Sequence, residues 1–95
     1  MRFEELDSSV QGQLQLSREF AEQTISGPEF ETAFLRARGA NAGLTAVMAD
    51  VLDQIFYAVD DYVATDSLRD PANGDLDDDQ LREIVRTQLR RLDEA

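Results

Sequence analysis

Twenty carboxylates, nine Arg, two Tyr and a scatter of hydroxyls are the reactive side chains of this 95-residue chain, which has no Cys, His, Lys or Trp. Without imidazole, amine or thiol, the usual general base, Schiff-base amine and thiolate are absent, which leaves carboxylates, hydroxyls and Arg. Asp50, Asp53, Tyr57, Asp60 and Asp61 fall together on one side of a helical wheel turned by about 100° per residue. Paired carboxylates at such spacing could serve as acid and base. Separating their pKa values needs a concave, partly dry site, however, and a helix face in so small a chain is convex. Catalysis is therefore not expected. The strip suits an encounter with a strongly basic protein, because opposed charge can raise association to about 10⁸–10⁹ M⁻¹s⁻¹. An aromatic such as Tyr57 adds desolvated contact area that carboxylates lack. The plainer alternative is a solvated face.

Two further constellations carry little. Gly74 could be the central glycine of a calcium loop, but the acidic positions before it hold Arg69 and Pro71 and the closing position holds Gln80. Asp66-Ser67-Leu68 is similar to the serine motif of acyl carrier proteins, yet a breaker-rich stretch, Arg69-Asp70-Pro71-Ala72-Asn73-Gly74, follows where a carrier continues into a long helix. An acyl-carrier-like or adaptor domain is kept as the alternative function. No metal or cofactor is expected.

Charge explains why the strip stands out. The net charge is −11, and residues 50–79 hold ten Asp against Arg69 alone. A sequence pI near 4.1 argues against direct binding to nucleic acid or to anionic membranes. No apolar run approaches the roughly 18 residues of a membrane span, and MRFEELDSSV lacks the layout of a secretion signal. A cytoplasmic, single domain over residues 1–95 is the expectation.

Apolar residues recur at intervals of three and four throughout, so the fold class expected is all-α, an antiparallel four-helix bundle. Asp7, Ser8 or Ser9 can cap a first helix that turns Val10, Leu14, Leu16, Phe20 and Ile25 inward. Ser26-Gly27-Pro28-Glu29 fits a capping box for a second helix presenting Phe30, Phe34 and Leu35 and stopping at Gly39. Leu44 to Val63 forms the central helix, with Val47, Met48, Val51, Leu52, Ile55, Phe56, Val59, Tyr62 and Val63 on one arc and the acidic strip opposite. The strip then runs into an exposed loop, Ala64 to Gly74. Asp77 with Gln80 caps the last helix, Leu76 and Leu81 stand as a hydrophobic staple, and Ile84, Val85, Leu89 and Leu92 continue the apolar stripe. Arg82, Arg86 and Arg90, spaced by four, read as a solvated face.

The runs Ile55-Phe56-Tyr57-Ala58-Val59-Asp60-Asp61-Tyr62, Asp66 to Asp70 and Leu76-Asp77-Asp78-Asp79-Gln80-Leu81-Arg82 are similar, in order and spacing, to the colicin D immunity family. These are bacterial self-protective colicin-like immunity proteins. Ile25 to Leu35 also resembles the family's turn into its second helix, so the likeness covers residues 17 to 92. The resemblance implies a non-enzymatic antidote, a monomer binding one copy of the basic carboxyl-terminal nuclease domain of a toxin that typically cleaves transfer RNA at the anticodon loop. Its acids would stand in for RNA phosphates. The family's key acidic position falls on Asp60, with Asp61 and Asp66 as helpers, and the wheel adds Asp53 and Tyr57 to the toxin-binding set. The chain departs from the family where Ala64-Thr65 replaces a frequent Pro-Asp pair, so one expected carboxylate is missing.

Overall fold

A computed structural model describes residues 8–37 and 44–94. Four α-helices occur among them, α1 (Ser8–Ala21), α2 (Gly27–Arg36), α3 (Ala46–Asp61) and α4 (Asp78–Glu94). They form an all-α bundle in which α3 packs against α4, and α1 against both α2 and α4. Asp7, Gly39 and the side chains of Ser8 and Ser9, named above as helix signals, lie outside the described residues.

Local chemistry sets the helix ends. The Glu29 N–H donates to the Ser26 hydroxyl and the Ser26 N–H donates to Glu29 Oε1, completing the expected capping box, and Pro28 occupies the first turn. The hydrogen bond from the Ser26 N–H, with a smaller contribution from the Ser26 side chain, holds the Glu29 carboxyl below its usual pKa. Asp77 and Gln80 form the second reciprocal pair, at 2.8 and 2.9 Å. Thr45 caps α3 by accepting from the Met48 N–H.

One core cluster takes residues from all four helices: Phe20, Phe30, Phe34, Val51, Ile55, Val59, Leu81, Val85 and Leu89. The Phe20 and Phe30 rings stack with centroids 4.6 Å apart, and Phe34 tilts against Phe30 at 5.4 Å. A second cluster joins Val10 and Leu14 of α1 to Met48 and Leu52 of α3. Two polar side chains of α1 are buried: the Ser17 hydroxyl donates to the Gln13 carbonyl, and Gln13 Nε2 donates to the Phe34 carbonyl of α2 at 3.5 Å.

Several expectations need correction. Leu35 and Val47, placed inward by periodicity, are 46% and 38% exposed. Phe30 and Phe34 already fill the inward row of α2, and Leu35 lies one 100° step beyond it. Val47 sits in the first turn of α3, outside both core clusters. Ile25 is not on α1, which stops at Ala21: Gln23 adopts the left-handed conformation (φ 64°), its N–H donates to the Phe20 carbonyl and the Thr24 N–H to the Glu19 carbonyl. This is a Schellman-type stop made without glycine, so the sequence carried no glycine signal for it. Ile25 still packs against the core from the connection. Of Arg82, Arg86 and Arg90, expected as a solvated face, Arg86 and Arg90 are exposed, but the Arg82 side chain is largely covered. Arg82 Nε donates to the Phe20 carbonyl at 3.1 Å with its guanidinium 4.6 Å from the Phe20 ring centroid, and Arg86 donates to the Ala21 carbonyl at 2.9 Å. Both close the carbonyl end of α1.

Candidate functional site

The acidic strip lies on α3, which ends at Asp61, so Tyr62 is its cap and Val63 is already beyond the helix. Asp53, Tyr57 and Asp61 follow one another at four-residue intervals, with Asp60 three beyond Tyr57, so these side chains are neighbours on the helix surface. All four are exposed, Tyr57 by 57%. The Tyr57 ring meets Phe56 edge-on at 5.9 Å, which places an aromatic among carboxylates.

Hydrogen bonding divides the acids of this third of the chain into two groups. Asp50 Oδ2 is 2.8 Å from Arg91 Nη2 on α4. Asp66 accepts from Arg69, and Asp79 from Arg82 at 3.3 Å. Asp70 accepts from the Ala72 N–H and Asp75 from the Asp70 N–H, holding the turns of the loop, while Asp77 caps α4 and Asp78 accepts from the Tyr62 hydroxyl. Asp53, Asp60 and Asp61 form no ion pair or side-chain hydrogen bond with the described residues.

The position of this second group matters. Asp60 and Asp61 occupy the last turn of α3, the carbonyl-rich end, with no basic residue there to offset them. Negative charge at a helix carboxyl terminus opposes the helix dipole. In α4 Asp78 and Asp79 stand in the first turn, and the last turn holds Arg91 beside Asp93 and Glu94. In α3, by contrast, no basic residue offsets Asp60 and Asp61 in the last turn.

Arg69 was missed as an organising residue by the sequence reading. Expected only as an exposed loop residue, it is largely buried and donates through Nε and Nη2 to the Val63 carbonyl, at 2.9 and 2.7 Å, and through Nη2 to the Ala64 carbonyl at 3.4 Å. Two 3₁₀ turns, Asp66–Leu68 and Pro71–Asn73, follow from this clamp, and Gly74 closes the second with φ 83°. Ser67 lies in the first of them rather than at the start of a long helix. The loop returns at Leu76, whose N–H donates to the Asp61 carbonyl while its own carbonyl accepts from the Val63 N–H. A cleft of about 270 Å³ between loop and α4 is lined by Ala64, Asp66, Arg69, Asp77, Asp78 and Asp79. No three carboxylates among the described residues are grouped to hold a metal ion.

Tyr62 faces inward beneath this site. Burial, the hydrogen bond to Asp78, and the charges of Asp78 and Glu31 raise its pKa far above the usual phenol value, against a smaller lowering by Arg69. The phenol stays neutral and works as a fixed donor. It is a structural joint, whereas Tyr57 is the exposed aromatic.

A small all-α bundle in which carboxylates unpaired among the described residues surround an exposed aromatic has the make-up of a protein-binding domain. The family model of bacterial self-protective colicin-like immunity matches residues 8–92, and the chain belongs to that family. It is thus a self-protective immunity protein, of a kind that binds a cognate toxin and is generally not an enzyme. No curated protein matches the chain.

Proposed function

We propose that this immunity protein inhibits the carboxyl-terminal ribonuclease domain of a colicin-like or contact-delivered toxin, a transfer-RNA anticodon nuclease, by plugging its basic active site with carboxylates that mimic RNA phosphates. The observation that supports this most directly is the set Asp53, Asp60 and Asp61, unpaired among the described residues and, for the last two, placed where they weaken their own helix. Carboxylates held free at such a position are available for charge-assisted hydrogen bonds to Arg and Lys that otherwise grip phosphates. Tyr57 supplies an aromatic contact in their midst, and Asp66 adds a carboxylate from the loop. One immunity protein meets one toxin domain, in the cytoplasm where transfer RNA is found.

The test adds the toxin domain encoded beside this gene to total transfer RNA, with the protein or its Asp60→Asn/Asp61→Asn variant present. Protection by the native chain and clear loss with the variant is the expected result. Unimpeded cleavage by an active toxin would exclude inhibition of that toxin.

A further inference from the structure

Among the described residues four large apolar side chains stand exposed, and Leu68, at 73%, is the most exposed of them. A lone exposed leucine is ordinary on a protein surface. Leu68 differs in how it is held. It ends the Asp66–Leu68 turn, its N–H donates to the Thr65 carbonyl at 3.0 Å, and it belongs to neither core cluster. The next residue is Arg69, whose guanidinium is fixed to the Val63 and Ala64 carbonyls and paired with Asp66. The clamp keeps this turn close to the carbonyl end of α3, which carries Asp60 and Asp61. A second bracket, from the Asp70 N–H to Asp75 and from the Asp75 N–H to the Asp70 carbonyl, fixes the chain beyond it.

A backbone ordered on both sides presents an apolar group that the fold itself does not use, so little conformational freedom remains to be lost when a partner covers it. Stable interfaces combine an apolar centre with a polar rim, and carboxylates alone provide only the rim. We infer that Leu68 is a second apolar anchor beside Tyr57, seated in an apolar pocket that borders the basic surface of the same toxin domain. Charge complementarity identifies the occupant: the loop adjoins unpaired acids in a chain of net charge −11, which a basic protein meets favourably and an acidic second copy of this chain does not. The inference rests on the proposed function and adds a contact that is insensitive to salt.

The experiment measures association and dissociation rates of the toxin domain encoded beside this gene with the native chain, Leu68→Ser, Leu68→Met and Asp60→Asn/Asp61→Asn, at low and high salt. Leu68→Ser is expected to raise the dissociation rate roughly tenfold at both salts, with association and thermal stability unchanged and with Leu68→Met close to native. The double Asn variant slows association, and chiefly at low salt. Native dissociation by Leu68→Ser overturns the inference and leaves the proposed function standing. Self-association of the protein alone that Leu68→Ser abolishes also overturns it, assigning the leucine to a second copy. If the native chain does not bind the toxin domain at all, the proposed function fails and this inference with it.

Discussion

The Tyr62 hydroxyl donates to Asp78, joining the residue that caps α3 to the first turn of α4. Gly27, at the start of α2, lies against both partners: a Cβ there would overlap the Tyr62 Oη and come within 2.9 Å of Asp78 Oδ1. Three helix ends thus converge on one phenol. The loop that carries Asp66 and Leu68 leaves just after this joint and returns just before it, at Leu76. The joint therefore fixes the frame on which the acidic end of α3 is displayed.

Removing the phenol oxygen tests the joint. Tyr62→Phe should cost about 1.5–3 kcal/mol of stability, the size of a hydrogen bond to a charged group, as read by urea unfolding at neutral pH.

The same group predicts an alkaline limit. Because the folded-state pKa of Tyr62 is raised, its contribution is complete below the unfolded value of 10.0 and is lost as pH rises above it, when the unfolded chain ionises first. Native stability should fall above about pH 10 by up to roughly 1.4 kcal/mol per unit more than that of Tyr62→Phe. Parallel pH profiles for the two proteins would show that the phenol does not titrate differently on folding.

Gly27→Ala should destabilise by about 2–3 kcal/mol, because the added methyl meets a fixed ring rather than a mobile chain end. Combined with Tyr62→Phe, which removes the overlapping oxygen, the loss should be smaller than the sum by about 1 kcal/mol. A strictly additive double variant would place the strain elsewhere.

Neutralising the acids at the end of α3 should separate stability from function. Asp60→Asn/Asp61→Asn is expected to raise stability by about 0.3–1 kcal/mol, through relief of the unfavourable helix-end charge, while weakening toxin inhibition. A thermal melt shifted downward would contradict this reading of the two carboxylates.

Asp50 supplies the contrasting case on the same helix. Its carboxylate is paired with Arg91, both side chains being nearly half exposed, so Asp50→Asn should cost at most about 1 kcal/mol and leave toxin inhibition unchanged. Inhibition lost to the same degree as with Asp60→Asn/Asp61→Asn would mean that total charge, rather than unpaired charge at one place, governs binding.

Local signals in the sequence were read correctly where the physics is local. The capping boxes at Ser26 with Glu29 and at Asp77 with Gln80 need only three-residue spacing, and both form. The inward rows Phe30 with Phe34, and Val51, Ile55 and Val59, follow from helical periodicity and are buried. Periodicity failed at Leu35 and Val47, because it ranks a side chain by its angle on the wheel and not by whether a neighbouring helix reaches it. The Gln23 stop escaped because its residue type is unusual for a left-handed cap.

By itself the sequence determined the helix count, the capping boxes of α2 and α4, the family resemblance and the placing of Asp53, Tyr57, Asp60 and Asp61 on one outward face, since each depends on residue type and short spacing. Tertiary structure alone decided which acids are free. Asp50 meets Arg91 from 41 residues away, Asp78 meets Tyr62 from 16, and Arg82 and Arg86 close the end of α1 from more than 60. Composition lists the charges, but a carboxylate is neutralised or left available only by what the folded chain brings within hydrogen-bonding distance of it.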